Sequence, residues 1–427
     1  MNSYGLLREK EPSMTKLEAL RKYFGHTAFR PAQETLIDAL LSGRDVMGIM
    51  PTGAGKSVCY QIPAMMFGGI TLVVSPLISL MKDQVAALKL AGIPGAYINS
   101  SLSASQYAEV LRRAAIGRYK IIYIAPERLG TDDFMQFAMQ TQIALVAVDE
   151  AHCVSQWGQD FRPSYLKIPG FIEALPVRPI VGAFTATATA DVKSDIVRLL
   201  KLCDPVSLTT GFDRPNLYFE VAKPKNKAAY FLQCISNRTG KCGIVYCATR
   251  KTVDSVCAEL QKHGVAAAGY HAGLEDNVRR QSQEDFINGR ATVMVATNAF
   301  GMGIDKPDVR FVFHYNMPKN MESYYQEAGR AGRDGKPSDC ILLYSSDDIK
   351  TAEFLIRSSG KNGELTEKEQ RIARRRDVER LDKMIRYCEI GSCLRAYMLN
   401  YFGEKQRKKC GNCGNCRRKR KMMDQER

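Results

Sequence analysis

Val46-Met47-Gly48-Ile49-Met50-Pro51-Thr52-Gly53-Ala54-Gly55-Lys56-Ser57 runs from an aliphatic strand signal into a glycine-rich turn and on into helix-compatible residues. That order decides the fold. A turn that leaves a strand and opens a helix aims backbone N–H groups at phosphate oxygens, sends its lysine to the outer phosphates and offers its serine hydroxyl to magnesium. Thr52, Gly53 and Gly55 shape this cradle, and Lys56 and Ser57 carry its chemistry. A bare Gly-x-Gly-Lys-Ser also occurs in purely structural turns, but its place between strand and helix favours the nucleotide reading. Far downstream, Gln326-Glu327-Ala328-Gly329-Arg330-Ala331-Gly332-Arg333 sets two arginines on a short glycine-rich segment. Such a segment can steady the charge on a transferring γ-phosphoryl group. If one nucleotide needs both segments, hydrolysis must open or close two halves of the chain, as in a motor.

The surroundings of the two segments predict two α/β lobes. Short β-branched and aliphatic runs recur at 46–50, 70–74, 120–124, 143–148 and 180–184, with helical periodicity between them at 79–91 and 104–115. Each run ends at a turn or motif residue, as parallel strands do when the loops at their C-terminal ends carry function. A second set follows at 243–247, 265–270, 292–296, 310–314 and 340–344. Asp-Pro, Gly and Arg-Pro punctuate residues 204–215, which reads as the linker. Beyond Ser345 the strand signals stop, and 364–386 and 394–402 read as helices. No repeat of solenoid period is visible.

Composition narrows the partners. The 427 residues, 45% hydrophobic and 25% charged, suit two or three globular domains. No apolar run approaches a membrane span, and residues 1–12 lack the apolar stretch of a signal peptide, so a cytosolic protein with no membrane partner is expected. The formal net charge is +16, and residues 405–427 hold ten Lys/Arg against two Asp/Glu, half of that excess. A basic tail of this kind is either a polyanion contact or a solubilising extension. Eight of the thirteen cysteines are scattered through apolar or strand-like settings between Cys59 and Cys340, while five crowd into 388–416. An odd number without a secretion signal points to reduced thiols and a metal site.

Three further constellations carry chemistry. Asp149-Glu150-Ala151-His152 follows the apolar run 143–148. One carboxylate at a strand end can hold magnesium while its neighbour orients or deprotonates an attacking water. Arg30-Pro31-Ala32-Gln33 lies upstream of the phosphate loop, where Gln33 can read an adenine edge through its amide and Arg30 can stack on the base. Cys410, Cys413 and Cys416 follow one another at intervals of three, and Cys393 lies 17 residues before the first. Four thiolates suit a tetrahedral structural zinc, with an iron–sulfur cluster as the rival for Cys-x₂-Cys-x₂-Cys. Cys388 reads as a bystander.

Taken in order, Phe29-Arg30-Pro31-Ala32-Gln33, residues 50–60, Ser75-Pro76-Leu77-Ile78-Ser79-Leu80-Met81-Lys82-Asp83-Gln84, Tyr123-Ile124-Ala125-Pro126-Glu127-Arg128-Leu129, residues 147–162 and 183–189, Tyr270-His271-Ala272-Gly273-Leu274, and residues 296–309 and 324–335 resemble the RecQ family of superfamily 2 DNA helicases. The resemblance spans roughly residues 16–416. It implies two RecA-like parallel-sheet lobes in tandem, at 16–208 and 209–345, and a small helical zinc-binding subdomain at 346–418. An N-terminal extension (1–15) and a basic tail (419–427) would flank them. It assigns Lys56 and Ser57 to phosphate and magnesium, Asp149 and Glu150 to metal and water, Arg333 to the role of arginine finger and Arg330 to the γ-phosphate. Arg30 and Gln33 would recognise the adenine of ATP, and His26 stands where some relatives place a tyrosine near the base.

The same resemblance makes Ser155, Gln156, Trp157, Phe161 and Arg162 the loop that couples single-stranded DNA to the ATPase. It favours zinc on Cys393, Cys410, Cys413 and Cys416. The implied activity is ATP-dependent 3′-to-5′ translocation on single-stranded DNA with unwinding of partly duplex DNA, in repair or recombination. The implied setting is a monomer in the cytoplasm, associated with a bacterial-type nucleoid and with single-strand-binding and recombination proteins as partners. Longer family members continue into a winged helix and a helical nucleic-acid-binding domain. A sequence ending at Arg427 is expected to be a short form whose basic tail contacts DNA phosphates.

Overall fold

The computed structural model describes residues 14–51, 53–158, 160–301, 306–358, 366–404 and 409–425. Thr52 of the phosphate loop and Gln159 of the aromatic loop therefore lie outside the described residues.

The first lobe is built on seven strands: β1 (Val46–Ile49), β2 (Ile70–Val74), β3 (Gly95–Ile98), β4 (Ile121–Ile124), β5 (Ile143–Val148), β6 (Ile180–Thr185) and β7 (Val206–Thr209). They form one sheet in the order β3-β4-β2-β5-β6-β1-β7, and every pairing is parallel. The second lobe holds β8 (Leu217–Ala222), β9 (Gly243–Tyr246), β10 (Ala267–Tyr270), β11 (Val293–Ala296), β12 (Phe311–His314) and β13 (Ser338–Leu343), ordered β10-β11-β9-β12-β13-β8 and again all parallel. Strands β1, β2, β4, β9, β11 and β12 are buried at every position. Crossover helices cover both faces of a parallel sheet, so such strands read as continuous apolar runs.

Three strands depart from the sequence expectation, and all three are sheet edges. β3 and β8 close the outer ends of their sheets, and β7 carries alternating half-buried and exposed positions. An edge strand needs apolar residues on fewer sides, which weakens its signal. β7 also takes Thr209 into the first sheet, one residue beyond the expected boundary, and the connection between the sheets shortens to 210–216.

Beyond β13 the chain is helical: Ser346–Ser358, Glu367–Glu389, Leu394–Tyr401 and Gly414–Gln425. The long helix begins in a capping box between Thr366 and Glu369, which satisfies the otherwise unpaired N–H groups of its first turn. This subdomain is bonded to the second lobe and to the connection. Cys413 makes an isolated parallel bridge with Phe219 on β8. Arg395, only 3% exposed, donates to the Asp213 carboxylate, to the Arg214 carbonyl at 2.7 Å and to the Leu217 carbonyl. The Glu404 carboxylate accepts from the Phe212 N–H at 2.7 Å, and the rings of Phe212 and Phe402 stack at 4.9 Å. One buried apolar cluster runs from Val148 through Phe212 and Tyr324 to Tyr387 and Cys413. No described helix is long and apolar enough to cross a membrane.

Candidate nucleotide and nucleic-acid site

The phosphate loop leaves the C-terminal end of β1 and enters the helix Lys56–Met66. Gly53 (φ 83°) and Gly55 (φ 80°) are both left-handed, a region that costs a side chain about 1–2 kcal/mol. A side chain at Gly55 would also displace a brace, because a Cβ there would come 2.3 Å from Gln33 Nε2, the movable end of that side chain. Lys56 folds back into the loop, its ammonium donating to the Met50 carbonyl at 3.1 Å. Ser57, the second residue of the helix, is half-buried beside it.

Arg30 and Gln33 reach this loop, but they brace it. Arg30 donates to the Gly53 carbonyl at 2.8 Å, and the Gln33 amide donates to the carbonyls of Ala54 (3.1 Å) and Gly55 (3.2 Å). The Gln33 Oε1 accepts from the Arg30 N–H at 3.0 Å. Both ends of the amide are thus engaged by protein, so reading an adenine edge requires these bonds to be exchanged.

β5 delivers the acidic pair. Asp149 is buried, and its Oδ1 accepts from the Glu150 N–H at 3.0 Å while Tyr165 donates to its carbonyl at 2.9 Å. Glu150 is a non-glycine residue at φ 46°, a strained conformation of the kind that clusters at reactive sites. Its Oε2 lies 3.3 Å from His152 Nδ1, which is 2.8 Å from Thr185 Oγ1 at the end of β6. Burial and the adjacent Glu150 charge push the Asp149 carboxyl up, to about 7. Burial acts on Glu150 in the same sense, but His152, Lys56 and Arg330 outweigh it and hold that carboxyl below its ordinary value. A buried carboxylate pushed up beside a second, partly buried one makes a place that favours a cation.

The second lobe supplies the opposite wall. Arg330, 7% exposed, donates to the Gly301 carbonyl and joins Glu150, His152, Arg162 and Gln326 around an interlobe cavity of about 210 Å³. The stem of Arg333 lies over the phosphate loop, where a Cβ on Gly53 would be 3.4 Å from Arg333 Cγ. The segment is held from the connection: Arg214 donates to the carbonyls of Ala331 (3.0 Å) and Gly332 (2.8 Å), and Asn216 donates to those of Gly332 (2.9 Å) and Lys336 (3.0 Å). Sequence reasoning took Arg214 only as punctuation of the 204–215 linker and did not single out Asn216. Only the Arg-Pro pair at the end of that linker marks the place.

The loop after the acidic pair runs beside the same cavity. Ser155 is buried and donates to Asp195 at 2.7 Å while accepting from the Trp157 N–H at 3.0 Å. Trp157 is 42% exposed, Gln156 and Phe161 are half-buried, and Arg162 bonds Asp160 and the Pro76 carbonyl (2.8 Å). The loop also meets the long helix of the small subdomain. The Arg376 guanidinium stacks 3.9 Å from the Trp157 ring centre, and Arg380 donates to the carbonyls of Trp157 (2.9 Å) and Gly158. These two arginines were also missed, since a charge-rich helix ordinarily signals only a solvated face.

The Sγ atoms of Cys393, Cys410, Cys413 and Cys416 lie within 4.8 Å of one another, while Cys388 stands outside the cluster. A tetrahedral zinc with bonds of about 2.3 Å holds its sulfurs just under 4 Å apart, and the Cys393–Cys413 separation is 3.9 Å. Backbone N–H groups of Ala396 (3.4 Å) and Cys410 (3.3 Å) point at Cys393 Sγ, and that of Asn412 (3.3 Å) points at Cys410 Sγ, as suits thiolates. The donor set therefore fits zinc.

Family comparisons follow the same division. Residues 30–195 match the DEAD/DEAH box helicase model, 226–335 the helicase conserved C-terminal domain and 346–417 the RecQ zinc-binding model. The ATP-dependent DNA helicase RecQ of Bacillus subtilis is 48% identical over 393 residues, covering 92% of this chain and 65% of that protein. The chain belongs to the RecQ family. A second RecQ, from Haemophilus influenzae, is 41% identical over 93% of this chain and 63% of its own length. The chain thus spans somewhat under two thirds of these curated RecQ relatives. Among solved structures, Mss116p bound to single-stranded RNA and AMP-PNP aligns with a TM-score of 0.68 at 17% identity, over 90% of this chain and 88% of its own. At that identity the likeness speaks for the two-lobed fold alone.

Proposed function

We propose that this RecQ-family chain is an ATP-driven DNA helicase that translocates 3′ to 5′ on single-stranded DNA and unwinds partly duplex DNA in repair or recombination. The observation that carries the reading is the Arg333 stem against Gly53, which puts a second-lobe arginine over a first-lobe phosphate loop. In this reading Lys56 binds the outer phosphates, Glu150 orients the attacking water, and Arg330 and Arg333 stabilise charge on the transferring phosphoryl group. Thr52, Gly53 and Gly55 shape the cradle, and Arg30 and Gln33 pass from bracing it to recognising adenine when ATP binds. Ser57 and Asp149 would hold magnesium, which supplies positive charge to the phosphates. Zinc on Cys393, Cys410, Cys413 and Cys416 would be structural, because a segment this small has little core of its own.

Gln156, Trp157, Phe161 and Arg162 meet single-stranded DNA, with Trp157 and Phe161 offering ring faces to bases, while Ser155, buried and bonded to Asp195, braces the loop from within. The proposed division keeps lobes at 16–208 and 209–345, with Thr209 moved to the first, and a zinc subdomain at 346–418. The protein works as a cytoplasmic, nucleoid-associated monomer alongside single-strand-binding and recombination proteins.

The test is strand displacement on DNA and RNA duplexes with 3′ or 5′ tails, measured beside nucleic-acid-stimulated ATPase, with Lys56→Ala as control. Displacement confined to 3′-tailed DNA is expected. ATPase without displacement would make the protein a translocase, and absence of ATPase would reduce it to a zinc-containing DNA-binding scaffold.

A further inference from the structure

The contact between the Glu367–Glu389 helix and the Trp157 loop serves no purpose in the nucleotide chemistry, yet it is specific. Arg376 places its guanidinium 3.9 Å from the indole centre and donates to Gln156 Oε1 at 2.9 Å. That separation is a stacking distance, well inside the roughly 6 Å reach of a cation over an aromatic ring. One turn further on, Arg380 donates to the carbonyls of Trp157 and Gly158 while its other nitrogen bonds Asp377 at 2.6 Å. The helix therefore holds the loop by its ring, its side-chain amide and its backbone.

The far side of the loop abuts the acidic pair. A Cβ on Gly158 would come 2.2 Å from the His152 carbonyl oxygen, so residue 158 rests directly on the backbone of His152. His152 in turn lies 3.3 Å from the Glu150 carboxylate. A shift of the loop at Trp157 is thereby delivered within two residues to the histidine beside Glu150.

We propose that Arg376 is a positioning residue that occupies the indole face a nucleobase would use, so that the zinc-subdomain helix and single-stranded DNA compete for the Trp157 loop. The guanidinium is planar and cationic, and it stacks on indole much as a base does. Exchange of one for the other changes little in free energy but frees the ring and the Gln156 amide from the helix, leaving only the Arg380 bonds to the loop backbone. This rests on the reading of residues 155–162 as the loop that meets DNA. In that arrangement Arg376 restrains the ATPase until a base displaces it, and Arg380 keeps the loop backbone within reach for its return.

Trp157 is the sole tryptophan of the chain, so intrinsic fluorescence reports on this one ring. The experiment titrates an oligothymidylate into the full chain, its Arg376→Ala and Arg376→Lys variants and a Gln156→Ala variant, following emission and ATP turnover with and without the oligonucleotide. Arg376 is half-exposed on a helix surface, so its replacement leaves the core untouched, and zinc content serves as a check on folding. Arg376→Ala is expected to bind about two- to fivefold more tightly, the range that removal of an exposed cation–π interaction spans, and to hydrolyse ATP faster without DNA. Gln156→Ala, which also removes a proposed DNA contact, should raise only the DNA-free turnover, and Arg376→Lys should fall between wild type and alanine in both readouts.

Unchanged affinity and unchanged DNA-free turnover in Arg376→Ala would overturn the competition while leaving the loop reading intact. Weaker binding would overturn it too, by making Arg376 a DNA contact. If the oligonucleotide neither alters Trp157 emission nor stimulates the wild-type ATPase, the loop reading itself fails and this proposal falls with it.

Discussion

The Arg333 side chain crosses the interlobe cleft to lie against Gly53, 3.4 Å from the point a Cβ on that glycine would occupy. Its guanidinium belongs to a segment held by Arg214 and Asn216 from the connection, so its position depends on how the lobes are set. Replacing Arg333 by alanine should lower kcat for DNA-stimulated ATP hydrolysis by about 10³-fold or more, the size of an arginine-finger effect, with little change in KM. Arg333→Lys should recover only a small part, because a point charge does not reproduce the planar fork. Steady-state ATPase in saturating oligonucleotide reads both values.

Gly55→Ala tests the cradle. Alanine must adopt φ 80° and push against the Gln33 amide, which lies 2.3 Å from its Cβ position. The loop is expected to lose its shape and the KM for ATP to rise at least about tenfold, the effect of about 1.4 kcal/mol. Gln33→Ala alone removes the brace on Ala54 and Gly55 without this strain and should raise KM less. A Gln33 variant worse than Gly55→Ala would mean that the amide acts mainly on the base.

Arg395 offers a stability test away from the chemistry. It is 3% exposed and spends its donors on Asp213, Arg214 and Leu217. Arg395→Met keeps most of the volume but strands the Asp213 carboxylate and two carbonyls. Asp213 is 31% exposed, so water takes over part of its charge, and the loss is expected to be about 1–3 kcal/mol, read as a lower midpoint in urea. An unchanged midpoint would show that water replaces the guanidinium there.

Metal removal should act at a distance. Chelation, or Cys413→Ser, dismantles the thiolate cluster and frees the bridge from Cys413 to Phe219 on β8. Thermal stability is expected to fall, and limited proteolysis should open first near 390–416, before either sheet. Cleavage that instead begins in the first lobe would contradict this order.

The basic helix Gly414–Gln425 is exposed at Arg417, Arg418, Lys419, Arg420 and Lys421. Truncation before Lys419 should weaken binding to single-stranded DNA and flatten its dependence on log salt by about 0.7 for each phosphate that the tail neutralises. A slope unaltered by truncation would leave the tail a solubilising extension.

The nucleotide wall was legible because its chemistry is local. A glycine turn, a lysine and a serine at fixed spacing dictate a conformation whatever the rest of the chain does. The cysteine cluster was legible for the same reason, three of its four thiols lying within seven residues. β3, β7 and β8 were not, because an edge strand carries less of the continuous apolar pattern that marks one buried on both sides. The supports of the site were hidden more deeply. Arg214 and Arg376 act on residues more than a hundred positions away, and the sequence around each reads as a linker or a solvated helix. The Gln33 amide was visible as a polar group near the loop, but its present partners are loop carbonyls, which spacing alone does not single out.

The connection between the lobes is no free tether. Phe212 and Asp213 are clasped by Glu404 and Arg395, while Arg214 and Asn216 grip the arginine segment on the other side. The small subdomain is thus bonded to the connection, the axle of any turning of the lobes, and its long helix reaches from there to Trp157 like a crank arm. Any rotation of the second lobe that carries the helix with it changes the gap between Arg376 and the indole. The angle of the cleft and the posture of the aromatic loop are in this sense one coordinate, measured at two ends.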